Sequence, residues 1–93
     1  TDDMYKRELG ISRREWRILA YLARTPDASL KALAADAGID VVVASRTVAD
    51  MHSRGLVDKR RSPGNKRLVC LRLTDDGVQI HGKAKLMAAA YNR

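Results

Sequence analysis

Two short amphipathic segments, separated by one tight glycine-containing turn, constrain the fold of this chain more than any other feature. The first segment follows Ser29, a typical helix N-cap, and ends at Gly38. Its apolar residues at helical spacing are Leu30, Leu33, Ala34 and Ala37. Asp40 is the expected N-cap of the second segment, which extends to about Arg54 and stops at Gly55. A helix, a tight turn and a second helix predict a helix-turn-helix.

The residues after Gly55 change from a helical period to alternation. "LVDKRR" and "RLVCLRL" are predicted as two strands, and Val69, Leu71 and Leu73 alternate onto one face of the second. "SPGN" between them suits a type II turn with Pro63 and Gly64 at its centre. The sequence therefore predicts a β-hairpin directly after the helix-turn-helix.

Two further helices are predicted on either side of this unit. Ser12 and Glu15 match a capping box, so a helix should begin there, and "TPDAS" ends it. Its apolar residues are Trp16, Ile18, Leu19, Ala20, Leu22 and Ala23. Thr74 caps a last helix, with Asp75 and Asp76 in its positive first turn. The apolar stripe of that helix is Ile80, Ala84, Met87 and Tyr91. The predicted fold class is mainly α with a small β-hairpin (α+β), a winged helix-turn-helix.

Size and composition exclude several classes of protein. With 93 residues we expect one domain, 1–93, and no apolar run approaches the roughly 20 residues of a membrane helix. A single Cys70 forms no intramolecular disulfide, and the start lacks an apolar signal core, so we expect a reducing, cytoplasmic compartment. Because the chain opens at Thr1 without an initiator Met, we also consider it trimmed from a longer protein.

Few residues of the sequence are candidates for metal binding or catalysis. His52 and His81 have no Cys or carboxylate at ligand spacing, and Cys70, in the middle of a predicted strand, is expected to be a small packed side chain. The sequence contains no paired carboxylates, nucleophile motif or phosphate loop. We therefore expect neither an enzyme nor a metal or other cofactor.

The positive charge is concentrated in one segment. The chain carries a net charge of +7, and eight cations against two acids between Arg46 and Arg72 give that segment +6. Like charges on neighbouring strand positions repel, so such a hairpin is destabilised unless an anionic partner neutralises it. A basic segment placed on a helix-turn-helix indicates double-stranded DNA as the partner.

The second helix of the predicted pair, about residues 41–54, is the expected recognition helix. At about 100° per residue, Ala44, Val48 and Met51 face inward. The outward residues are Val42, Arg46, Ala49 and Ser53. Arg46 can hold guanine O6 and N7 with two bonds, and Val42 can meet a thymine methyl. We expect Ser45 and Thr47 to bind phosphate, and Val41 and Val43 to lie near the flanks.

The hairpin beside this helix, about residues 58–67, is the expected wing. Its Arg60, Arg61, Lys66 and Arg67 would neutralise phosphates and reach an adjacent minor groove. The alternatives are a winged helix used as a protein-interaction module, which the valines favour, and a nonspecific nucleic-acid binder.

The motifs "LGISRREWRILAYLA" (9–23), "SRTVADMHSRGLV" (45–57) and "NKRLVCLRLTDDG" (65–77) resemble the MarR family of bacterial winged helix-turn-helix regulators. The resemblance covers roughly residues 9–77. It implies a homodimer that binds pseudo-palindromic DNA, usually as a repressor, and is often released by small aromatic or phenolic acids or by oxidation. Some relatives sense peroxide through a Cys near the N-terminus, whereas Cys70 lies elsewhere.

The resemblance also assigns residues. It places Ser29 at the start of the supporting helix, Ser45, Arg46 and Thr47 in the recognition helix and Arg67 at the wing tip. Asn65 stands where the family has an Asp that braces the wing Arg, and three valines replace the usual polar start of the recognition helix.

The resulting DNA-binding candidates are Ser29, Val41, Val42, Val43, Ser45, Arg46, Thr47, Arg60, Arg61, Asn65, Lys66 and Arg67. Residues 1–9 and 75–93 would supply parts of the dimerisation helices, through Met4, Tyr5, Leu9, Ile80, Ala84, Met87 and Tyr91. Tyr5, Leu9 and Trp16 are the candidate effector residues.

Overall fold

Four helices of the described chain form where the capping residues Ser12, Ser29, Asp40 and Thr74 predict them. The computed structural model describes the backbone of residues 2–62 and 64–91 and the side chains of residues 6–62, 64 and 68–90. Within these residues the helices are α1 (Asp2–Leu9), α2 (Arg13–Arg24), α3 (Leu30–Ala37), α4 (Val41–Ser53) and α5 (Asp75–Tyr91). These helices and the small antiparallel sheet of the chain confirm the predicted class, a mainly α winged helix-turn-helix.

Two of the predicted caps fix where helices begin. The Glu15 amide donates to Ser12 Oγ at 3.2 Å, and the Ser12 amide donates to Glu15 Oε1 at 2.7 Å, which completes the capping box of α2. The Val42 amide donates to Asp40 Oδ1 at 2.7 Å at the start of α4. Each bond satisfies a first-turn amide that has no partner within its helix.

The sheet contains one strand more than the sequence analysis predicted. Its strands are β1 (Ala28–Ser29), β2 (Val57–Ser62) and β3 (Asn65–Leu73), in the antiparallel order β1-β3-β2. The predicted hairpin is confirmed, and its pairing shifts register after Arg61. The predicted turn residue Pro63 lies outside the described residues. The missed strand β1 pairs Ala28 with Leu71 and leads straight into α3.

The core lies between α2, α3, α4 and the inner face of the sheet, with α5 closing one side. Its fully buried large side chains are Ile11, Ile18, Leu19, Leu33, Val48, Met51, Val57 and Leu71. Two residues expected on buried faces are exposed. Ala23 opens onto a cleft of about 260 Å³ between α2 and α5, and Val69 on β3 opens onto a groove between the wing and α4.

The terminal helices α1 and α5 pack on each other, but the stripe predicted on α5 is turned mainly toward its own chain. Ala84 is fully buried, so it is unable to contact a second copy directly, contrary to its predicted role in dimerisation. Ile80 and Met87 are half-buried, and the side chains of Met4, Tyr5 and Tyr91 lie outside those described. The large exposed apolar side chains among the described residues of α5 are instead Val78 and Leu86, at 56% and 73% exposure.

The C-terminal end of α4 is fastened to α2 through Arg54. Its guanidinium donates to the Gly10 carbonyl at 2.9 Å, pairs with Asp50 at 3.1 Å and forms an ion pair with Glu15, which is only 7% exposed. Arg54 is one of the eight cations of the basic segment, yet it neutralises a buried carboxylate and fixes α4 on α2.

The chain leaves α4 through a backbone junction with α5. Gly55 adopts φ +77°, the left-handed conformation expected of a residue that ends a helix. The Leu56 carbonyl then accepts a bond from the Thr74 amide at 3.1 Å. Gly77 lies against the same carbonyl, since a Cβ atom placed on it would come within 2.2 Å of the oxygen. The wing and the last helix are thus positioned against the end of α4.

Candidate nucleic-acid interface

The two faces of α4 divide as the helical period predicts. Ala44, Val48 and Met51 are buried in the core. On the opposite face Arg46 is exposed, as are Ala49 and Ser53. The face therefore offers one long donor side chain among small residues, and a helix of this width fits the major groove of B-DNA.

The first turn of α4 carries apolar side chains in solvent. Val41 and Val42 are 47% and 58% exposed, whereas Val43 is half-buried on the flank. Exposing two β-branched apolar residues on a helix that begins with a well-formed cap gives no folding benefit. An apolar partner surface, such as a row of thymine methyl groups, would remove them from water.

Thr47 is less available than Ser45. The Thr47 hydroxyl donates to the Val43 carbonyl at 2.8 Å within the helix, and the residue is half-buried. A phosphate oxygen needs a donor, so the expectation that Thr47 binds phosphate conflicts with this bond. Ser45 is exposed and faces the wing.

Ser29 lies at the junction of β1 and α3. Its hydroxyl accepts from the Ala32 amide at 3.1 Å, and its backbone pairs with Cys70 in the sheet. The cap uses the hydroxyl oxygen as an acceptor and leaves its proton for another acceptor. The Ser29 hydroxyl can therefore still donate a hydrogen bond to a phosphate oxygen, as the predicted contact requires.

The wing cations divide between the two faces of β2. Lys59 pairs with Leu71 and Arg61 with Val69, so these two cations lie on the inner face toward α4. Arg60 pairs with Cys70 on the outer face, where its Nε lies 3.1 Å from Asp58. Of the predicted wing residues, Arg61 thus shares the face of β2 that carries Lys59, and Arg60 lies on the opposite face. The side chains of Asn65, Lys66 and Arg67 lie outside those described.

Lys59 is a candidate that the residue assignments missed. It lines a groove of about 210 Å³ together with Ser45 and Val48 of α4 and Val69 of β3. The signal was present in the sequence, because alternation along the strand places Lys59 and Arg61 on one face. The prediction counted the basic run without dividing it by face.

Arg72 is another cation of the basic segment that serves the fold. It contacts Asp27 at 2.6 Å across the sheet edge, and the hydrogen bond and charge of Asp27 raise the pKa of Arg72. Together with Arg54, this pair means that the net charge of the segment overstates what reaches a partner. Among the described side chains of the segment, Arg46 on α4 and Lys59 on the inner wing face form no ion pair.

The candidate effector residues Leu9 and Trp16 are both partly buried and packed against the core, while the Tyr5 side chain lies outside those described. Among the described residues no three His, Cys, Asp or Glu side chains gather in a way that would hold a metal ion. In that same part of the chain no helix is both long and apolar enough to cross a membrane.

Solved structures with similar folds are regulators. The chain aligns with the PcaV transcriptional regulator of Streptomyces coelicolor, in complex with its natural ligand, at a TM-score of 0.85 and 25% identity over 96% of this chain and 65% of that one. A MepR variant of S. aureus bound to an oligodeoxyribonucleotide gives a TM-score of 0.89 at 14% identity, over 98% of this chain and 67% of that one. At that identity the second likeness shows the fold alone.

Sequence comparison also finds a transcriptional regulator. The chain is 32% identical over 68 residues to the uncharacterized HTH-type transcriptional regulator YdgJ of Bacillus subtilis (strain 168), a match that covers 73% of this chain and 42% of that protein. It thus spans less than half the length of this relative and about two thirds of the two solved structures. The profile of the MarR family matches residues 9–68. This chain belongs to the MarR family, whose winged helix fold is that of transcriptional regulators rather than enzymes.

Proposed function

We propose that this protein is a sequence-specific double-stranded DNA-binding regulator that reads bases with α4 and grips the backbone with its wing. The observation that carries the proposal is the outward face of α4, where Val42 and Arg46 are exposed, together with the inner wing face of Lys59 and Arg61 along one flank of the helix. Apolar contacts and a bidentate donor specify bases, and the strand cations position the helix on the phosphates. Residues 1–93 would act as one DNA-binding domain in the cytoplasm.

Two proteins of the same fold have been solved with DNA, which makes DNA the partner that we propose. The MepR variant is bound to an oligodeoxyribonucleotide, and FabT of Streptococcus pneumoniae, in complex with DNA, matches at a TM-score of 0.81 and 22% identity over 87% of this chain and 57% of that one. The test is selection of bound fragments from genomic DNA, followed by affinity for the selected duplex and a scrambled one at two salt concentrations. A regulator prefers the selected duplex, whereas equal affinities would leave a nonspecific binder.

The role of the wing has its own matched pair of variants. Lys59→Gln should make the dependence of log affinity on log salt shallower by about 0.9, the value for one lost phosphate contact. Arg72→Gln removes the same charge from the neighbouring strand but breaks only the pair with Asp27. If the two variants change the slope equally, the wing acts through net charge and not through contact.

A dimer that represses from a pseudo-palindromic operator is part of the proposal. Exposed Leu86 and Val78, on a helix that packs with α1, provide the apolar surface for a second copy. Leu86→Asp leaves the core intact because the side chain is exposed, so it should shift sedimentation toward monomer and weaken operator binding together. A wild-type protein that is monomeric at micromolar concentration, yet binds a palindrome tightly, would refute the dimer.

A small aromatic or phenolic effector is also part of the proposal. The support is the family, together with PcaV, whose structure holds its natural ligand. The partly buried Trp16 belongs to the proposed site with Tyr5 and Leu9, so its fluorescence should report binding. A compound that releases DNA without changing Trp16 emission would place the effector elsewhere.

A protein-interaction module is the second candidate, and the observation that favours it is the exposure of Val41 and Val42. Such a module would bind no duplex above the nonspecific level. The fragment selection above would then recover no enriched sequence.

A further inference from the structure

A second basic surface flanks α4 on the side away from the wing. Arg13, Arg14 and Arg17 are exposed on the first turns of α2 and, with Ala37 and Ile39 of the α3–α4 segment, line a cleft of about 280 Å³. None of the three arginines belongs to the recognition helix or the wing, and the sequence analysis gave them no role.

This surface is continuous with the recognition helix. Arg14 also lines a neighbouring cleft of about 270 Å³, whose other walls include Lys6 of α1 and Arg46 and Thr47 of α4. On α4, residues 46, 47 and 50 lie on the flank opposite Ser45 and Val48, which border the wing. The recognition helix is therefore bordered by cations on both sides.

The acids near the surface are already engaged. Glu15 and Asp50 also line the second cleft, but both carboxylates form ion pairs with Arg54. The ion pairs among the described side chains involve neither Arg13 nor Arg14 nor Arg17. The three arginines are exposed, and no described carboxylate lies within ion-pair distance of them.

The placement of these arginines is unfavourable for α2 itself. Cations in the first turn oppose the helix dipole, and the only acid in that turn is Glu15, which Arg54 already neutralises. Arg13 and Arg17 are also like charges four residues apart on one helix, a destabilising pair. An arrangement that weakens the helix when it is free is stabilised once a polyanion covers it.

We infer that Arg13, Arg14 and Arg17 bind the phosphate backbone on the border of the major groove away from the wing. The recognition helix is then held between two phosphate-binding surfaces, one on β2 and one on α2. Their opposite placement fixes the rotation of α4 about its axis, which one surface alone leaves free. This inference rests on the proposed function and assigns it contacts outside the helix-turn-helix and wing.

The test compares two triple variants of the full chain with equal loss of charge. One is Arg13→Gln with Arg14→Gln and Arg17→Gln, and the control is Arg24→Gln with Lys83→Gln and Lys85→Gln, on α2 and α5. Affinity for the selected duplex is measured from 50 to 200 mM salt. Each lost phosphate contact should make the slope of log affinity against log salt shallower by about 0.9. Between 50 and 200 mM salt, the fall in affinity should then be about 3.5-fold smaller for each lost contact.

We expect the first variant to lose two or three contacts by this measure and the control fewer than one. Hydroxyl-radical footprinting should show that the first variant no longer protects the backbone away from the wing. Its melting temperature should equal or exceed that of the wild type, because like charges are removed from a helix start. A slope and footprint equal to those of the control would overturn the inference.

Two further outcomes are separable. If the wild-type protein shows no salt-dependent binding to any duplex, the proposed function fails, and this inference fails with it. If the wild-type protein binds DNA, the slopes of the two variants agree, and sodium benzoate raises the melting temperature of the wild type but not of the first variant, the cleft is a small-anion site. That result overturns the backbone contact while leaving the proposed function intact.

Discussion

The two ends of α4 differ in function although each is associated with an arginine. At the C-terminal end Arg54 is tied to Gly10, Glu15 and Asp50, and the chain leaves through a glycine held against α5. At the N-terminal end Arg46 is exposed beside two solvent-facing valines. One arginine fixes the helix to the molecule, and the other is left for a partner. The role of an arginine thus depends on whether a buried carboxylate lies within reach.

This difference separates stability from binding. Substitutions at the C-terminal end of α4, which Arg54 holds against α2, should lower the free energy of unfolding. They should change the affinity for DNA only indirectly. Changes at the open end should leave unfolding nearly unaltered and act on affinity. A variant that breaks this division would show that the two ends are coupled through the helix.

The largest effect is expected from Gly77→Ala. The added Cβ would lie 2.2 Å from the Leu56 carbonyl oxygen, a backbone atom that is unable to swing away. We expect a loss of about 3 kcal/mol in the free energy of unfolding, typical of severe overpacking. Chemical denaturation measures it, and Gly82→Ala is the control, since a Cβ there meets no atom within 4 Å. Equal stabilities of the two variants would show that α5 approaches α4 less closely.

The next effect is expected from Glu15→Ala. It removes the buried partner of Arg54 and one half of the capping box, so the free energy of unfolding should fall by about 2 kcal/mol. Denaturant titration tests this, with Asp36→Ala as a matched control, because its pair with Arg24 is exposed and is worth less than about 1 kcal/mol. If Glu15→Ala is no more costly than Asp36→Ala, the fastening of α4 depends on packing alone.

The sequence predicted those features that depend on neighbours along the chain. The capping box at Ser12, the Asp40 cap and the glycine that ends α4 are local, and all three are confirmed. The role of Arg54 was missed because Glu15 is 39 positions away, and β1 was missed because its two residues gain their strand pairing only from β3. Contacts between distant residues follow from packing, which no local pattern specifies.

The candidate site shows the same division. The period of α4 placed Arg46 and Val42 on the outward face, and their exposure confirms that placement. The hydroxyl of Thr47 donates within the helix because of its rotamer, and Ala84 is buried because of the way α5 packs. Residue type alone predicts neither. The actual DNA contacts of all the candidates stay predictions.

At the open end, Arg46→Ala should change affinity and not stability. A bidentate Arg–guanine contact is worth roughly 1–3 kcal/mol against a wrong base, so binding to the selected duplex should weaken by about that much, and binding to a scrambled duplex by less. The free energy of unfolding should stay within about 0.5 kcal/mol of the wild type, as for an exposed residue. Equal losses on the two duplexes would make Arg46 a phosphate contact, and base reading would then move to Val42, Val43 or the wing.

The smallest expected effect is a pH dependence of stability that arises from His81. This residue lies on α5 and borders the cleft between α2 and α5. Burial, and then the charges of Lys85 and Arg24, lower the pKa of His81 below its ordinary value of 6.5. The unfolded chain therefore takes up this proton at a higher pH than the folded chain, and stability falls as the pH drops from above 6.5 through the folded pKa. His81→Gln should lose less stability than the wild type between about pH 7 and pH 5, and the two should show no pH-dependent difference above pH 8. Thermal melting of both proteins across this range decides the matter, and parallel curves would show that His81 titrates alike in the folded and unfolded states. Binding of the selected duplex should not follow this transition, because His81 lies on α5 and not on the outward face of α4.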